Sequence, residues 1–397
     1  MRRRQVRAPG PVRVLLAHPS PDLYGSDRML VESVRSLADA GCAVTVVLPD
    51  RGPLVPLLQA TGADVVIVQT VVLRKAFMSV RGLGKLLFSA IRALPLAVRT
   101  VRAARADVVY VNTVTIPGWI LASRLARTPV VAHVHEAEDS LPRLVGLGLH
   151  LPLLLARRVL VNSLAAQQGL TATLPALSGR IRLLYNGVPG PDVEAELGLD
   201  PAQRTNDDTA VRLLLVGRLS PRKGTDVAIA ALDSVVRRGV DARLDLVGEV
   251  FPGYEWYEQT LREQVSAANL DERVSFVGFQ SDVWPAFAAS DIVLVPSRVE
   301  PFGNVAVEAA LARRPVVASG VQGLREIVTG GETGMVVAAD DPEAIADAVC
   351  DLAKDWPSAQ RMAQLAHDDA LHRFGTQRYA ADLLKLLFDA DLVPASA

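Results

Sequence analysis

The chain has 397 residues, of which 50% are apolar, 5% aromatic and 21% charged. That is too apolar for a disordered chain and, at roughly 100–200 residues per domain, long enough for two domains. The formal net charge of −1 hides a polarity, because residues 1–190 carry 23 Lys and Arg against 10 Asp and Glu, whereas residues 191–397 carry 19 against 33. Halves of opposite sign suggest different partners, and the first half should seek something anionic, a membrane or a nucleic acid.

Cys42 and Cys350 form neither a zinc pattern nor a disulfide framework, which fits a reducing compartment. No apolar run reaches the ~20 residues needed to span a bilayer. The longest candidate, Leu144 to Ala156, is interrupted by His150 and Pro152. The basic start MRRRQVRAPG has no apolar segment of signal-peptide length behind it, so a cytosolic protein is expected.

Strands are predicted at Val12–Ala17, Ala43–Leu48, Asp64–Val68, Asp107–Asn112, Val130–Val134 and Val159–Asn162. A second series runs Val211–Val216, Leu244–Val247, Val274–Val277, Ile292–Val295, Val316–Ala318 and Met335–Val337. Most are apolar on consecutive residues, as strands covered on both faces are, and helical patterns lie between them. This is an α/β chain with two doubly wound domains. Gly187-Val188-Pro189-Gly190-Pro191 and the polar stretch Asp200 to Thr209 mark the break. The expected organisation is a domain over 1–190, a linker over 191–209, a domain over 210–375, and a C-terminal helix within 376–397, apolar at Tyr379, Leu383, Leu384, Leu387 and Phe388. Ligands of such sheets sit outside the carboxyl ends of the strands, so the residues just after strands matter most.

In chain order, Gly25-Ser26-Asp27-Arg28 comes first. Gly25 would let the backbone approach a phosphate, and a plain helix cap at Ser26 or Asp27 reads equally well. Segment 74–105 carries Arg74, Lys75, Arg81, Lys85, Arg92, Arg99, Arg102 and Arg105 with no acid, interleaved with leucines and phenylalanines. That suits an anionic membrane surface, although a core helix with a solvated cationic face has the same pattern. Phe77 and Phe88 are the only aromatic residues in this segment and do not alternate with its cations as base-stacking residues would, so no nucleic acid is expected. His133 and His135, two apart at a strand end, share a face. No third ligand of sensible spacing makes them a metal pair, and a donor or acid–base role suits them better. A buried structural histidine competes with that reading, more so at His133.

The second half is richer. Gly217-Arg218-Leu219-Ser220-Pro221-Arg222-Lys223-Gly224 follows a strand and leads into a helix near Thr225. Arg218 and Lys223 beside a helix start suit a diphosphate, and an ordinary solvated turn fits equally well. Gly278, in Phe276-Val277-Gly278-Phe279, ends a strand where a base could stack on backbone. Glu300-Pro301-Phe302-Gly303-Asn304-Val305-Ala306-Val307-Glu308 follows the strand 292–295, with a helix expected from the cap residue Asn304. The amides of Asn304 and Val305 offer an anion site, while Glu300 and Glu308 can accept from sugar hydroxyls. A ligand with anionic and polyhydroxyl parts, a nucleotide sugar, satisfies both. The plain alternative is an exposed loop acid and a helix-dipole acid.

The Gly217-Arg218…Lys223-Gly224 loop, the E-x7-E pair Glu300/Glu308 around Phe302-Gly303, and Asn186-Gly187-Val188 resemble glycosyltransferase family 4. Gly25-Ser26-Asp27-Arg28 resembles that family's Gly-Gly-Ala-Glu-Arg opening, with Tyr24 in place of a glycine, and Pro189 stands where an Asp is typical. The resemblance covers about residues 12–375. It implies a retaining enzyme of the GT-B fold, two Rossmann-like domains facing each other across a cleft, with no bound metal and no cofactor beyond its nucleotide diphosphate sugar. Arg218 and Lys223 would hold the diphosphate, Glu308 the ribose, Glu300 the transferred sugar, and Asn304 and Val305 the phosphate. Gly25, Gly278, Phe302 and Gly303 would line the donor, and His135 fits the active-site histidine better than His133.

The first domain would bind the acceptor and the last helix would cross back onto it. A lipid-linked or glycan acceptor in bacterial cell-surface polysaccharide or glycolipid synthesis is expected, with the enzyme peripheral on the inner membrane face. A nucleotide-sugar epimerase of the same fold and a catalytically silent subunit of a polysaccharide assembly complex are the rivals.

Overall fold

The computed structural model describes residues 10–23, 25–73, 80–136, 143–191 and 210–389, the side chains of 80–88 and 143–144 excepted. The chain divides into two units: Met1–Gly187 with Thr376–Ala397, and Val188–Gly375. The expected linker lies, from residue 192 on, outside the described residues, as do Tyr24, Arg74, Lys75 and the far end of the tail.

The first unit is built from β1 (Arg13–Ala17), α1 (Gly25–Asp39), β2 (Ala43–Leu48), α2 (Leu54–Ala60), β3 (Asp64–Ile67), α3 (Val80–Ala104), β4 (Val108–Val111), α4 (Pro117–Ala126), β5 (Val130–Val134), α5 (Arg143–His150), β6 (Arg158–Val161), α6 (Leu164–Thr173) and β7 (Ile181–Leu183). The strands form one seven-stranded parallel sheet in the order β3-β2-β1-β4-β5-β6-β7. Its two faces explain the continuous apolar runs. Leu15 and Ala17 of β1 join the core under α3, α4 and α6, while Val14 and Leu16 join the core under α1 and α2. The strand β7 was not legible, since Ile181–Leu183 is a three-residue edge strand with only Ile181 buried.

The second unit contains β8 (Val211–Val216), α7 (Thr225–Arg237), β9 (Ala242–Val247), α8 (Glu255–Ala267), β10 (Val274–Gly278), α9 (Trp284–Ala289), β11 (Ile292–Val295), α10 (Asn304–Leu311), β12 (Val316–Ser319), α11 (Leu324–Ile327), β13 (Met335–Val337), α12 (Pro342–Lys354) and α13 (Trp356–Phe374). Its parallel sheet has the order β10-β9-β8-β11-β12-β13. In both sheets the order reverses beside the first strand, between β1 and β4 and between β8 and β11. Such a switch point opens a crevice at the carboxyl ends.

The last helix, α14 (Thr376–Phe388), belongs to the first unit. Tyr379, Leu383 and Leu387 recur at helical spacing and are fully buried in the core under α1. The Tyr379 hydroxyl lies 2.7 Å from Ser33 Oγ on α1.

Candidate functional site

At the switch point of the second sheet, β8 runs into Gly217 and the turn that ends at Lys223. Gly224, at φ +67°, closes this turn, and a Cβ there would lie 2.0 Å from the Pro296 carbonyl oxygen. Only glycine lets the turn lie this close to the loop after β11. Arg298 then straps the two loops together. Its backbone N–H donates to the Arg222 carbonyl (2.8 Å) and its guanidinium to the Pro221 carbonyl (2.5 Å). The same guanidinium forms a fork on Asp226 in the first turn of α7, at 2.9 and 2.7 Å. Tyr257 also donates to Asp226, at 2.8 Å. Burial pushes the Asp226 carboxyl up, but the Arg298 and Tyr257 hydrogen bonds outweigh it and hold the group below its usual range.

These straps bring Lys223 Nζ to 2.5 Å from Glu300 Oε2. The same oxygen accepts from Ser297 Oγ at 3.1 Å. The Glu300 backbone is held on both sides, its N–H donating to Gln322 Oε1 (3.0 Å) and its carbonyl accepting from Gly323 N–H (3.1 Å). Arg218 lies on the same β8 loop with its guanidinium 4.8 Å from the centre of the Phe251 ring. Gly278, at φ +83°, ends β10, and its carbonyl accepts from Gly248 N–H at 2.8 Å.

The E-x7-E segment differs in detail from expectation. Asn304 is the first residue of α10, and Gly303 at φ 120° is the cap that precedes it. Gly303 accepts the first helical bonds, from Ala306 (3.0 Å) and Val307 (3.4 Å), which leaves Asn304 and Val305 as the first-turn amides. Phe302, expected to line the donor, is instead 3% exposed and packs edge-on against Phe374. A Phe flanked by Pro301 and Gly303 anchors the loop in the core rather than offering itself to a ligand. Glu308 lies one turn into α10 and is half-buried.

The first sheet gathers a second cluster at its own switch point. Gly25 is the exposed first residue of α1, and Asp27 lies in its first turn. The Asp27 side chain is buried, 2.7 Å from Nε2 of His18, the residue after β1. Nδ1 of His18 meets Nδ2 of Asn112, the residue after β4, at 3.0 Å. Oδ1 of Asn112 meets Nε2 of His135, the residue after β5, at 2.8 Å. His135 is partly exposed, whereas His133 is fully buried, with Nδ1 2.5 Å from the Tyr110 hydroxyl. The two rings lie side by side, 3.9 Å between centres. Burial, with His18 nearby, pushes the His135 imidazole down to about 3, and burial also lowers His133, so both are neutral near neutral pH. Glu136 accepts from Thr113 Oγ1 and, at 3.0 Å, from the His135 N–H. Burial raises its carboxyl above the usual range.

Thus the structure joins Lys223 to Glu300, puts Arg218, Gly303, Asn304 and Val305 on loops or helix starts of the same unit, and places Gly278 at the end of β10 and Glu308 one turn into α10. His135 and Gly25 stand in the other unit. Arg298, Asp226, Ser297, His18 and Asn112 were missed. His18 and Asn112 were findable, being polar residues directly after buried parallel strands. Among the described residues no group of three His, Cys, Asp or Glu side chains is placed to hold a metal ion.

The family model "Glycosyl transferases group 1" matches residues 210–355, and "Glycosyltransferase Family 4" matches residues 24–189. The chain is 31% identical over 189 residues to a lipopolysaccharide core biosynthesis mannosyltransferase, LpsB, of Rhizobium meliloti, a match spanning 46% of this chain and 52% of that one. It is 35% identical over 212 residues to a D-inositol 3-phosphate glycosyltransferase of Corynebacterium glutamicum, spanning 51% and 50%. These matches span about half the length of the curated relatives. Among solved structures, Alr3699/HepE of Anabaena in complex with UDP and glucose superposes with a TM-score of 0.80 at 25% identity, over 95% of this chain and 100% of that one. WaaG, a glycosyltransferase involved in lipopolysaccharide biosynthesis, shares the fold with a TM-score of 0.66 at 16% identity, over 95% and 100%. The two glycosyltransferase family models, one on each unit, support a GT-B glycosyltransferase.

Proposed function

We propose that this chain is a retaining glycosyltransferase. It moves a sugar from a nucleotide diphosphate sugar to a lipid-linked or glycan acceptor in cell-surface polysaccharide or glycolipid synthesis. The observation that carries the reading is the Lys223–Glu300 pair at the switch point of the second sheet, 2.5 Å apart within the group 1 domain. A cation there suits a diphosphate, and the adjoining carboxylate suits sugar hydroxyls.

Arg218, Lys223 and the first-turn amides of α10 would hold the diphosphate, and Glu308 the ribose. As the glycosidic bond breaks, negative charge grows on the departing phosphate, and these donors oppose it. The sugar becomes oxocarbenium-like. No carboxylate is assigned as nucleophile, so the acceptor hydroxyl attacks from the face the diphosphate leaves and passes its proton to the leaving phosphate oxygen. Configuration is then retained without a glycosyl-enzyme. Accumulation of a covalent adduct with a slow fluorinated donor would overturn this step. No metal or other cofactor is required.

Peripheral attachment to an anionic membrane leaflet, on the cytoplasmic side, completes the proposal. No helix among the described residues is long and apolar enough to cross a membrane. Within the described part of segment 74–105, α3 exposes Ile91 and Leu96 and carries Arg92, Arg99 and Arg102. The packed neighbour α4 exposes Leu121 and Leu125, and the 3-10 turn after α5 exposes Leu151 and Leu155. Leucines with arginines among them suit an interfacial surface.

The test of donor binding is a thermal-shift panel of UDP, GDP, ADP and their sugar conjugates, with Lys223→Ala beside the wild type. A ligand of the native state raises Tm by mass action. One nucleotide stabilising the wild type and not the variant is expected. No shift with any of them would sink the proposal.

A further inference from the structure

The line Asp27, His18, Asn112, His135 crosses the carboxyl ends of β1, β4 and β5, with contacts of 2.7, 3.0 and 2.8 Å. Its first three members are 3%, 1% and 1% exposed. All three contacts are within direct hydrogen-bond distance, so each needs one donor and one acceptor.

The proton positions follow from one end. A carboxylate only accepts, so His18 must donate from Nε2. Where His18 carries a single proton, that proton sits on Nε2 and Nδ1 keeps a lone pair. Asn112 must then offer its NH2 to His18, which is how the amide is turned. Its carbonyl oxygen is left for His135, and an oxygen only accepts, so His135 donates from Nε2. Nδ1 of His135 is left as a lone pair, and among the described residues no group meets it.

We infer that Asp27, through His18 and Asn112, holds His135 as its Nε2–H tautomer and so presents Nδ1 as a hydrogen-bond acceptor. The ligand group that His135 meets is then a donor, a hydroxyl or an amine. A carboxylate or phosphate oxygen finds no proton there. Asp27, His18 and Asn112 are positioning residues and touch no ligand. The identity of that group as a sugar hydroxyl rests on the glycosyltransferase reading, while the tautomer does not.

The test is long-range 1H–15N correlation on the full chain with 15N-labelled histidine, His135→Gln assigning the His135 signals. In the wild type, His135 should show a protonated Nε2 and a bare Nδ1, with the His18 Nε2 protonated. Asp27→Asn keeps an accepting oxygen and should leave both unchanged. Asp27→Leu removes it; His18 then gains by donating from Nδ1, Asn112 turns over, and His135 should shift toward Nδ1–H, the ratio moving by roughly tenfold or more. Asn112→Asp is the second probe, should Asp27→Leu not fold. Its carboxylate only accepts, so His18 should become doubly protonated while His135 keeps Nε2–H. A wild-type His135 carrying its proton on Nδ1, or an Asp27→Leu chain that folds with His135 unchanged, would overturn the inference. Neither measurement needs a donor sugar, so failure of the glycosyltransferase reading would show separately, in the nucleotide panel.

Discussion

Lys223 and Glu300, 77 residues apart in sequence, meet at 2.5 Å across the mouths of the neighbouring strands β8 and β11. Their side chains are 27% and 12% exposed, so the pair is neither a solvated surface bridge nor a sealed one. Under the proposed function, a diphosphate arriving at Lys223 would compete with Glu300 for the ammonium and free the carboxylate for a hydroxyl. The two residues should therefore fail in different ways.

Lys223→Ala removes the charge-assisted contact, and UDP binding by calorimetry should weaken roughly tenfold or more. Glu300→Gln keeps the shape and releases Lys223, so nucleotide affinity should hold or rise, while turnover of the sugar donor falls by roughly a hundredfold. Equal losses of nucleotide affinity in both variants would refute the division of roles.

Gly224→Ala should unfold at lower temperature than Gly239→Ala. Both glycines have positive φ, +67° and +85°, so each alanine carries a backbone cost of about 1–3 kcal/mol. Only at Gly224 does the new Cβ meet an atom, the Pro296 oxygen at 2.0 Å, while Gly239 faces open space. The difference in Tm isolates that clash. Loss of nucleotide binding should accompany it, because the same contact sets Lys223 against Glu300.

Acid should weaken the first unit more than its surface charge suggests. His135 titrates near 3 in the folded chain against an ordinary 6.5, burial being the main cause. Unfolded chains therefore take up a proton in that window that the folded chain refuses, and stability falls as pH drops from about 6.5 toward 3. His133 acts in the same direction. Glu136, raised by burial, acts oppositely, and its share is lost as pH rises through its folded value. Between about pH 6.5 and 4.5 the His135 share is about 2–3 kcal/mol. His135→Gln should shrink the drop in Tm over this range, and an unchanged acid limb would contradict the assignment.

Leu121→Glu with Leu125→Glu should abolish co-sedimentation with anionic vesicles and leave nucleotide binding intact. The residues are 40% and 50% exposed on one helical face, so the substitutions cost the core little. Wild-type binding should also fall with added salt, since arginines share the surface. Salt-insensitive or unchanged binding would exclude this face.

Much of the scaffold was legible because buried parallel strands write themselves as short continuous apolar runs. The runs at Val211–Val216 and Ile292–Val295 coincide with β8 and β11. The turn glycines and the E-x7-E segment were legible for a similar reason, since tight turns demand particular residues. Phe302 misled because an aromatic beside a binding loop reads alike whether it faces ligand or core, and only packing against Phe374 decides. Ile181–Leu183 was missed because an edge strand needs few apolar residues.

The amino-acid sequence by itself determined the periods, the turns and the chemistry available after each strand. These are local properties, set by neighbours along the chain. Tertiary structure alone decided which of these groups meet. Strand order places β8 beside β11 and β1 beside β4, so Lys223 finds Glu300, and Asp27 reaches His135 through two buried side chains. Hydrogen bonds and ion pairs act over about 3 Å, and sequence distance carries no information on that scale once the chain has folded.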